Sequence, residues 1–171
     1  MPTETARLVT AAQRGDRAAF AELYLQFAPV VHGIVIARVS ALDVEDIVHE
    51  VFIKAMQALA TLHDPKMFPG WIAAIARNRA VDHLRRTPHT EDLPETLSMP
   101  NDAAEKARAV AVLAVLRSLP EAYRETLTLR LIEGMTGPEI ALATGLTDGS
   151  VRVNLHRGMK LLRARLEGRQ E

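Results

Sequence analysis

Residues 136–166, TGPEIALATGLTDGSVRVNLHRGMKLLRARL, decide the fold, because they predict two helices joined by a tight turn. Thr136 is a favourable N-cap residue, and a proline follows in the first turn, where a missing N–H costs little. Gly145 permits a left-handed turn conformation, and Leu146 is expected to fill the corner between the helices. Thr147 or Asp148 then caps a second helix. Its apolar residues recur at helical spacing: Val151, Leu155, Met159, Leu162 and Leu166.

This pattern is typical of a helix-turn-helix, in which the second helix enters the major groove of DNA. A small residue at Ala141, a glycine four positions later and Val151 six positions beyond it fit that motif. From residue 147 to the end there are six Lys or Arg and three acidic residues, a net charge of +3 that suits contact with phosphate. The alternative is a helical hairpin that packs on a neighbouring element and binds no nucleic acid.

The composition bounds the remaining possibilities. The chain has 171 residues, enough for one domain or two small ones, with 48% hydrophobic but only 4% aromatic residues. Its formal net charge is zero, and it contains no cysteine, which excludes disulfides and thiolate metal sites. No apolar run approaches the ~18–20 residues that span a bilayer, and the N-terminus lacks the apolar core of a secretory signal. We therefore expect a cytoplasmic protein with no membrane insertion, metal or cofactor.

A second group of helices precedes the helix-turn-helix. Asp16 is expected to cap a helix that Pro29 ends, with another apolar helix running to about Arg38. Asp43 is expected to cap the next helix, whose outer face is acidic: residues 43–64 hold five acidic residues and one lysine. The charge then changes sign in the next helix, which is expected over residues 69–86. Residues 68–86, FPGWIAAIARNRAVDHLRR, contain four arginines and one aspartate.

A proline-rich, acidic segment at residues 88–101 interrupts the helical pattern, which is typical of a flexible linker. The sequence therefore predicts an all-α protein with two small helical domains. The N-terminal helical bundle covers residues 1–87, and a C-terminal four-helix domain covers residues 102–171. The helix-turn-helix at 136–166 belongs to the second domain.

Three segments now coincide with one family. They are DVEDIVHEVFIKA at 43–55, FPGWIAAIARNRAVDHLRR at 68–86 and LRSLPEAYRETLTLRLIEGMTGPEIALATGLTDGSVRVNLHRG at 116–158. In this order and spacing they resemble bacterial RNA polymerase sigma factors of the sigma-70 family. The resemblance is greatest to the two-domain extracytoplasmic-function (ECF) group and extends from about Asp16 to Leu166, except for the linker.

The resemblance implies a role for each domain. The first, sigma2-like domain would bind core polymerase, recognise the −10 promoter element and melt it; the second, sigma4-like domain would read the −35 element. The implied polymerase contacts are Asp46, His49, Glu50 and Phe52. The implied −10 contacts are Lys66, Phe68, Trp71, Asn78, Arg79, Arg85 and Arg86. The implied −35 contacts are Thr136, Gly149, Ser150, Arg152, Val153, Asn154, His156, Arg157 and Lys160. The implied partners are RNA polymerase core, promoter DNA and an anti-sigma factor.

The sequence departs from the family pattern at two places. Met56 stands where members often have an aromatic residue, and Val153-Asn154 stand where Ser-Arg is usual. Two alternatives remain open. One is an autonomous helix-turn-helix regulator that binds palindromic half-sites as a dimer, and the other is a sigma-like decoy for an anti-sigma protein. An enzyme is not expected, because His49-Glu50 lacks the second histidine of a zinc-protease helix and no phosphate-binding glycine loop is present.

Overall fold

The computed structural model describes residues 3–86 and 103–168, and all regular elements in these two ranges are helical. The helices are α1 (Glu4–Gln13), α2 (Arg17–Ile36), α3 (Val44–Ala58), α4 (Phe68–Arg86), α5 (Ala103–Ser118), α6 (Glu121–Leu131), α7 (Gly137–Thr144) and α8 (Asp148–Glu167). Short 3-10 turns at Leu59–Thr61 and Pro65–Met67 connect α3 to α4. The predicted all-α fold is confirmed, and the predicted linker lies outside the described residues.

Helix α2 corrects the prediction that Pro29 ends a helix, because it continues through the proline to Ile36. A proline inside a helix removes one hydrogen bond and costs about 3 kcal/mol or more. The buried apolar residues on both sides of Pro29, among them Phe27, Val30 and Val31, offset that cost. By length and composition alone α2 could also cross a membrane, contrary to the expectation from sequence. Half of that apolar stretch is buried within the protein, as in the core helix of a soluble fold.

Helices α1 to α4, called the N-terminal half from here on, surround a core in which Leu23, Ile34, Phe68 and Ile72 are fully buried. Asp16 caps α2 as predicted, since its carboxylate accepts from the amides of residues 18 and 19. The side-chain amide of Gln13 donates to the carbonyls of Leu59 and Leu62, at 3.0 and 2.8 Å. These two bonds hold α1 against the turn that leads into α4.

Helices α5 to α8, the C-terminal half, are the four helices predicted for this part of the chain. Leu116, Leu119, Leu127 and Leu162 form the centre of one buried cluster. Helix α8 crosses α6 closely at Gly158. A Cβ at that position would lie 3.0 Å from both Leu127 Cδ1 and Tyr123 Cβ. Glycine is therefore favoured there by packing rather than by its backbone angles.

The two halves pack directly against each other, with α6 on α2 and α7 on α4. A Cβ at Gly33 of α2 would lie 2.7 Å from Leu129 Cδ2 of α6, so these helices approach at glycine distance. Gly70 in α4 and Gly145 after α7 also face each other: a Cβ on either would lie within 3.9 Å of the other's Cα. Leu113 and Ala143 of the C-terminal half join the core of the N-terminal half. The chain is thus in a closed arrangement.

Candidate nucleic-acid and polymerase interfaces

The helix-turn-helix forms as the sequence predicts, since both of its helices begin at a capping side chain. Thr136 and Glu139 make a reciprocal capping box: the Thr136 amide donates to Glu139 Oε2 at 2.7 Å, and the Glu139 amide donates to Thr136 Oγ1 at 3.4 Å. The Thr136 hydroxyl and amide hold the pKa of the Glu139 carboxyl below its usual range. Gly145 has φ 74°, the left-handed conformation that ends α7. Thr147 Oγ1 accepts from the Ser150 amide at 3.1 Å and so caps α8.

The corner between α7 and α8 is filled by Leu129, Ile140, Ala141 and Val151, which form one buried cluster. Leu146 is not part of it, and its 39% exposure corrects the prediction that it fills the corner. Leu129 reaches this cluster from α6, which the local sequence pattern could not reveal. The turn is therefore supported by a third helix, while Leu146 remains on the surface.

The predicted −35 contacts form one surface along α8 and the start of α7. Those that are exposed are Thr136, Gly149, Ser150, Arg152, Val153, His156, Arg157 and Lys160, while Asn154 is half-buried. Arg152, His156 and Lys160 are spaced by four residues and so lie along one side of the helix. This surface combines cationic side chains for phosphates with Ser150 and Asn154, whose polar groups can bond base edges.

Helix α3 presents three of the four predicted polymerase contacts to solvent: Asp46, His49 and Glu50 are exposed. Phe52 is not, because it is 4% exposed and its ring centroid lies 4.5 Å from that of Tyr24. Asp43 precedes the helix but makes no side-chain cap, which also differs from the prediction. Its carboxylate instead bonds His83 Nε2 of α4 at 3.1 Å. Phe52 is a core residue that packs against Tyr24 in this arrangement, and its role as a polymerase contact stays a prediction.

Beside this acidic face lies an apolar surface that the sequence did not indicate. Tyr24, Leu25, Ile53 and Met56 are 38%, 72%, 39% and 57% exposed. Tyr24, Leu25 and Met56 line a shared groove between α2 and α3, together with Phe20 and the side chain of Arg17. The helical repeat assigns Tyr24 to a core face. Only the packing of α2 against α3 shows that part of its ring is left open.

The predicted −10 contacts divide into surface and core residues. Lys66, Asn78, Arg85 and Arg86 are exposed, Trp71 and Arg79 are half-buried, and Arg79 forms an ion pair with Glu50 of α3. Phe68 is fully buried, with its ring centroid 5.1 Å from Phe27 and 5.8 Å from Trp71. Phe68 is therefore a core residue that packs against Trp71 in this arrangement, and its role as a −10 contact stays a prediction. The ion pair joins a predicted polymerase contact to a predicted DNA contact.

A cluster of charges lies between the two halves, and sequence reasoning missed it entirely. Glu125 of α6 is 6% exposed and accepts from Arg38 Nη2 at 2.7 Å. It also accepts from Arg77 of α4, whose Nη2 and Nε lie 2.7 and 3.0 Å from its two oxygens. This hydrogen bonding raises the pKa of Arg77. Glu121 accepts from Arg38 as well, at 2.8 Å, which lowers the pKa of its carboxyl.

Further polar contacts cross the same interface. His32 Nδ1 lies 2.7 Å from Glu133 Oε1, and this hydrogen bond raises the pKa of the imidazole. Arg117 Nε donates to the Ile36 carbonyl at 3.1 Å, and burial lowers the pKa of this guanidinium. Each partner pair is separated by at least 81 residues in the chain. Within residues 3–86 and 103–168 no three His, Asp or Glu side chains are grouped to hold a metal ion.

Comparison with known proteins gives two family matches in the order that the sequence implied. Residues 23–89 match the sigma-70 region 2 family, and residues 109–162 match the sigma-70 region 4 family. The sigma-E factor of Escherichia coli K12 is 31% identical over 173 residues, which cover 91% of this chain and 90% of that protein. SigZ of Bacillus subtilis is 32% identical and covers 73% of each chain. BldN of Streptomyces coelicolor, also an ECF sigma factor, is 30% identical, and the chain spans 63% of its length.

Solved structures agree with the fold. CnrH, determined in complex with the cytosolic domain of CnrY, superposes with a TM-score of 0.68 at 25% identity and covers 96% of this chain and 97% of that one. RpoE of Bartonella quintana, determined with the anti-sigma factor NepR, gives a TM-score of 0.59 at 17% identity; 86% of this chain and 96% of that one are covered. The two ordered family matches and the 31% identity to the ECF sigma-E factor show that the chain belongs to the ECF group of RNA polymerase sigma factors.

Proposed function

We propose that this chain directs core RNA polymerase to a specific set of promoters and helps to open the DNA there. Its predicted sigma2-like domain, residues 1–87, would bind polymerase and the −10 element, and its predicted sigma4-like domain, residues 102–171, would bind the −35 element. The observation that carries the proposal is the solvent-facing surface of α8, which is the second helix of a fully formed helix-turn-helix. The proposed role is recognition rather than catalysis, and the proposed site of action is the cytoplasm.

The −35 contacts would divide into two classes. Arg152, Arg157 and Lys160 would bind phosphates, which give affinity without sequence preference. Asn154 is the candidate for base readout, because an asparagine can bond adenine through N6 and N7. Its half-buried side chain supports this role, since partial burial restricts the directions in which its amide can point.

The polymerase contacts would combine charge with apolar area. Asp46, His49 and Glu50 would meet a basic surface and accelerate association, since charge complementarity mainly affects the on-rate. Tyr24, Leu25, Ile53 and Met56 would supply the apolar area that stabilises the complex once formed. An exposed apolar patch of this kind beside a charged face is typical of a protein-binding surface.

The −10 contacts would lie on the exposed side of α4 and on the loop before it. Lys66, Asn78, Arg85 and Arg86 are the candidates that reach solvent, with the half-buried Trp71 on the same helix as the last three. Cationic side chains beside an aromatic ring are the combination that binds single-stranded DNA. We also propose control by an anti-sigma factor, which would compete for the same polymerase-binding face.

Run-off transcription with core polymerase tests the proposal. The full chain should support transcripts from a subset of fragments in a genomic library, and core enzyme alone should not. Asn154→Ala should change which fragments are used, whereas Arg157→Ala should weaken all of them about equally. Absence of any transcript would contradict the proposal and favour the decoy, while specific binding to palindromic DNA by a dimer without polymerase would favour the autonomous regulator.

A further inference from the structure

The closed arrangement cannot engage both promoter elements at once. The −10 and −35 elements are separated by about 25 base pairs, roughly 85 Å at 3.4 Å per base pair. Gly145, at the turn of the helix-turn-helix, faces Gly70 of α4 so closely that a Cβ on Gly145 would lie 3.8 Å from the Cα of Gly70. Helix α8 begins three residues later and, with 20 residues, is about 30 Å long. The −35 surface of α8 therefore lies too close to α4 for simultaneous binding, and the halves must separate.

Glu125 is the buried residue that pairs with two cations of the other half. Its carboxylate is buried between two guanidiniums of the other half, one from Arg38 and one from Arg77. Arg38 is itself 7% exposed, and its Nη1 donates to the Ile34 carbonyl at 2.8 Å, which fixes its direction. Removing one partner of a buried ion pair leaves an uncompensated charge, which is far more costly than losing a surface pair. Once the halves separate, water hydrates these charged groups and compensates their charges.

We propose that Glu125 is an intramolecular competitor for Arg77: it holds the free chain closed, and after opening Arg77 binds a phosphate of the promoter near the −10 element. The inference rests on the proposed function. Arg77 is not among the residues to which the family resemblance gives a role. Its contact with Glu125 of the other half distinguishes it from Arg79, which pairs with Glu50 within its own half.

Arg77 lies at the edge of the predicted −10 surface of α4, where its long side chain can reach the nearest exposed members of that surface. At 100° per residue it lies about 100° from Asn78 and about 80° from Arg85 around the helix axis. Both of those neighbours are exposed. The guanidinium already makes a two-pronged contact with a carboxylate, and the same planar fork fits two phosphate oxygens. Opening would thus replace the Glu125 carboxylate with a DNA phosphate, so that the Arg77 guanidinium keeps an anionic partner.

The test uses the full chain, which has no native cysteine, with fluorophores at Ala60→Cys and Glu167→Cys, both exposed. Glu125→Gln keeps the size of the side chain and removes its charge. It should lengthen the distance between the labels and increase the affinity for a mixed-sequence single-stranded 12-mer at least fivefold. Adding Arg77→Gln should return that affinity to the starting level while the labels remain far apart. Glu121→Gln is the matched control, since its side chain is 63% exposed, and it should change the distance and the affinity less than twofold.

A second variant keeps the test decisive if Glu125→Gln fails to fold. Gly33→Leu should open the chain by steric overlap with Leu129 and give the same gain in DNA affinity. It leaves the charged cluster between the halves unchanged, that is Arg38, Arg77, Glu121 and Glu125. The inference is overturned if both variants stay closed, if opening brings no gain in affinity, or if the gain survives Arg77→Gln. Its failure is separable from that of the proposed function, because the distance is measured without polymerase and run-off transcription does not depend on how the free chain is held.

Discussion

Gly33→Leu should favour the helical geometry of α2 and yet separate the two halves. Gly33 lies inside α2 with ordinary helical geometry, so its role is not conformational. What requires glycine is the approach of α6, where a Cβ would lie 2.7 Å from Leu129 Cδ2 and 3.0 Å from Glu133 Cγ. Carbon atoms are normally separated by about 3.5–4.0 Å, so even the first atom of a new side chain would overlap by about 1 Å.

The two effects have opposite signs and can be estimated separately. Replacing an interior helical glycine by leucine should stabilise α2 by about 0.8 kcal/mol. Inserting a side chain into a packed interface typically costs about 1–3 kcal/mol. Since that cost arises only when the halves are docked, it should shift the equilibrium toward the open chain by roughly 5- to 150-fold. Ala18→Leu, at an exposed position of the same helix, is the control.

Two measurements on the full chain separate these effects. Trp71 is the only tryptophan in the sequence and lies in the N-terminal half, so its fluorescence during urea unfolding reports on that half. Energy transfer between labels at residues 60 and 167 reports on docking. We expect Gly33→Leu to lower the energy transfer at zero urea. The urea midpoint at Trp71 should fall by less than the loss of docking alone would produce, because the gain in helix propensity offsets part of that loss. Unchanged energy transfer, or a large fall in that midpoint, would refute the reasoning.

Three further predictions concern the interface, the motif and the core. His32 has a raised pKa because of its bond to Glu133, with Glu45 also nearby. Its contribution to docking should be complete below the unfolded value of about 6.5 and lost as pH rises through the higher folded value. Titrating energy transfer from pH 5.5 to 9 should show this loss, and His32→Gln should abolish it; an identical pH profile in the variant would contradict it. Thr136→Ala removes the cap of α7 and should lower the unfolding free energy by about 1 kcal/mol in urea denaturation, and no change would mean that the cap is dispensable. Leu116→Ala, at a fully buried position, should lower the free energy of unfolding by about 2–5 kcal/mol, as measured by circular dichroism. Leu142→Ala, at 67% exposure, should change that free energy by no more than about 0.5 kcal/mol. Equal losses in the two variants would contradict the described core.

The features that could be predicted from sequence are those determined by neighbouring residues. Thr136, Gly145 and Thr147 each act within four positions of themselves, so capping and turn rules locate α7 and α8 correctly. The stripe from Val151 to Leu162 likewise follows from helical repeat alone. Pro29 shows the limit of this reasoning, because the burial of its flanks by α3, α4 and α6 outweighs a local helix-breaking preference.

The features that could not be predicted depend on residues far apart in the chain. Glu125 contacts Arg77 across 48 residues and Arg38 across 87, and no spacing rule links these positions. Phe52 and Phe68 show a different limit: resemblance to a family gives the position of a side chain in a motif but not its exposure. Tyr24 shows the converse, since the helical repeat predicts a core residue and the side chain is partly exposed in the structure.

The closed arrangement joins these observations into one account of how the chain would act. The free chain holds its −35 surface beside its −10 helix, with a buried glutamate engaging an arginine of that helix. Polymerase would supply the binding energy that separates the halves, and the separated halves would then act as one bivalent promoter reader. Coupling of this kind limits DNA binding by the chain alone, since opening must precede it and lowers the apparent affinity.

The distance between labels at residues 60 and 167 tests this account most directly, measured in the free chain and again after binding to core polymerase with promoter DNA. We predict one short distance in the free chain and a distance longer by several tens of ångströms in the complex, as the ~85 Å separation of the promoter elements requires. A free chain that already shows the long distance, or a complex that is active in transcription at the short one, would contradict the account.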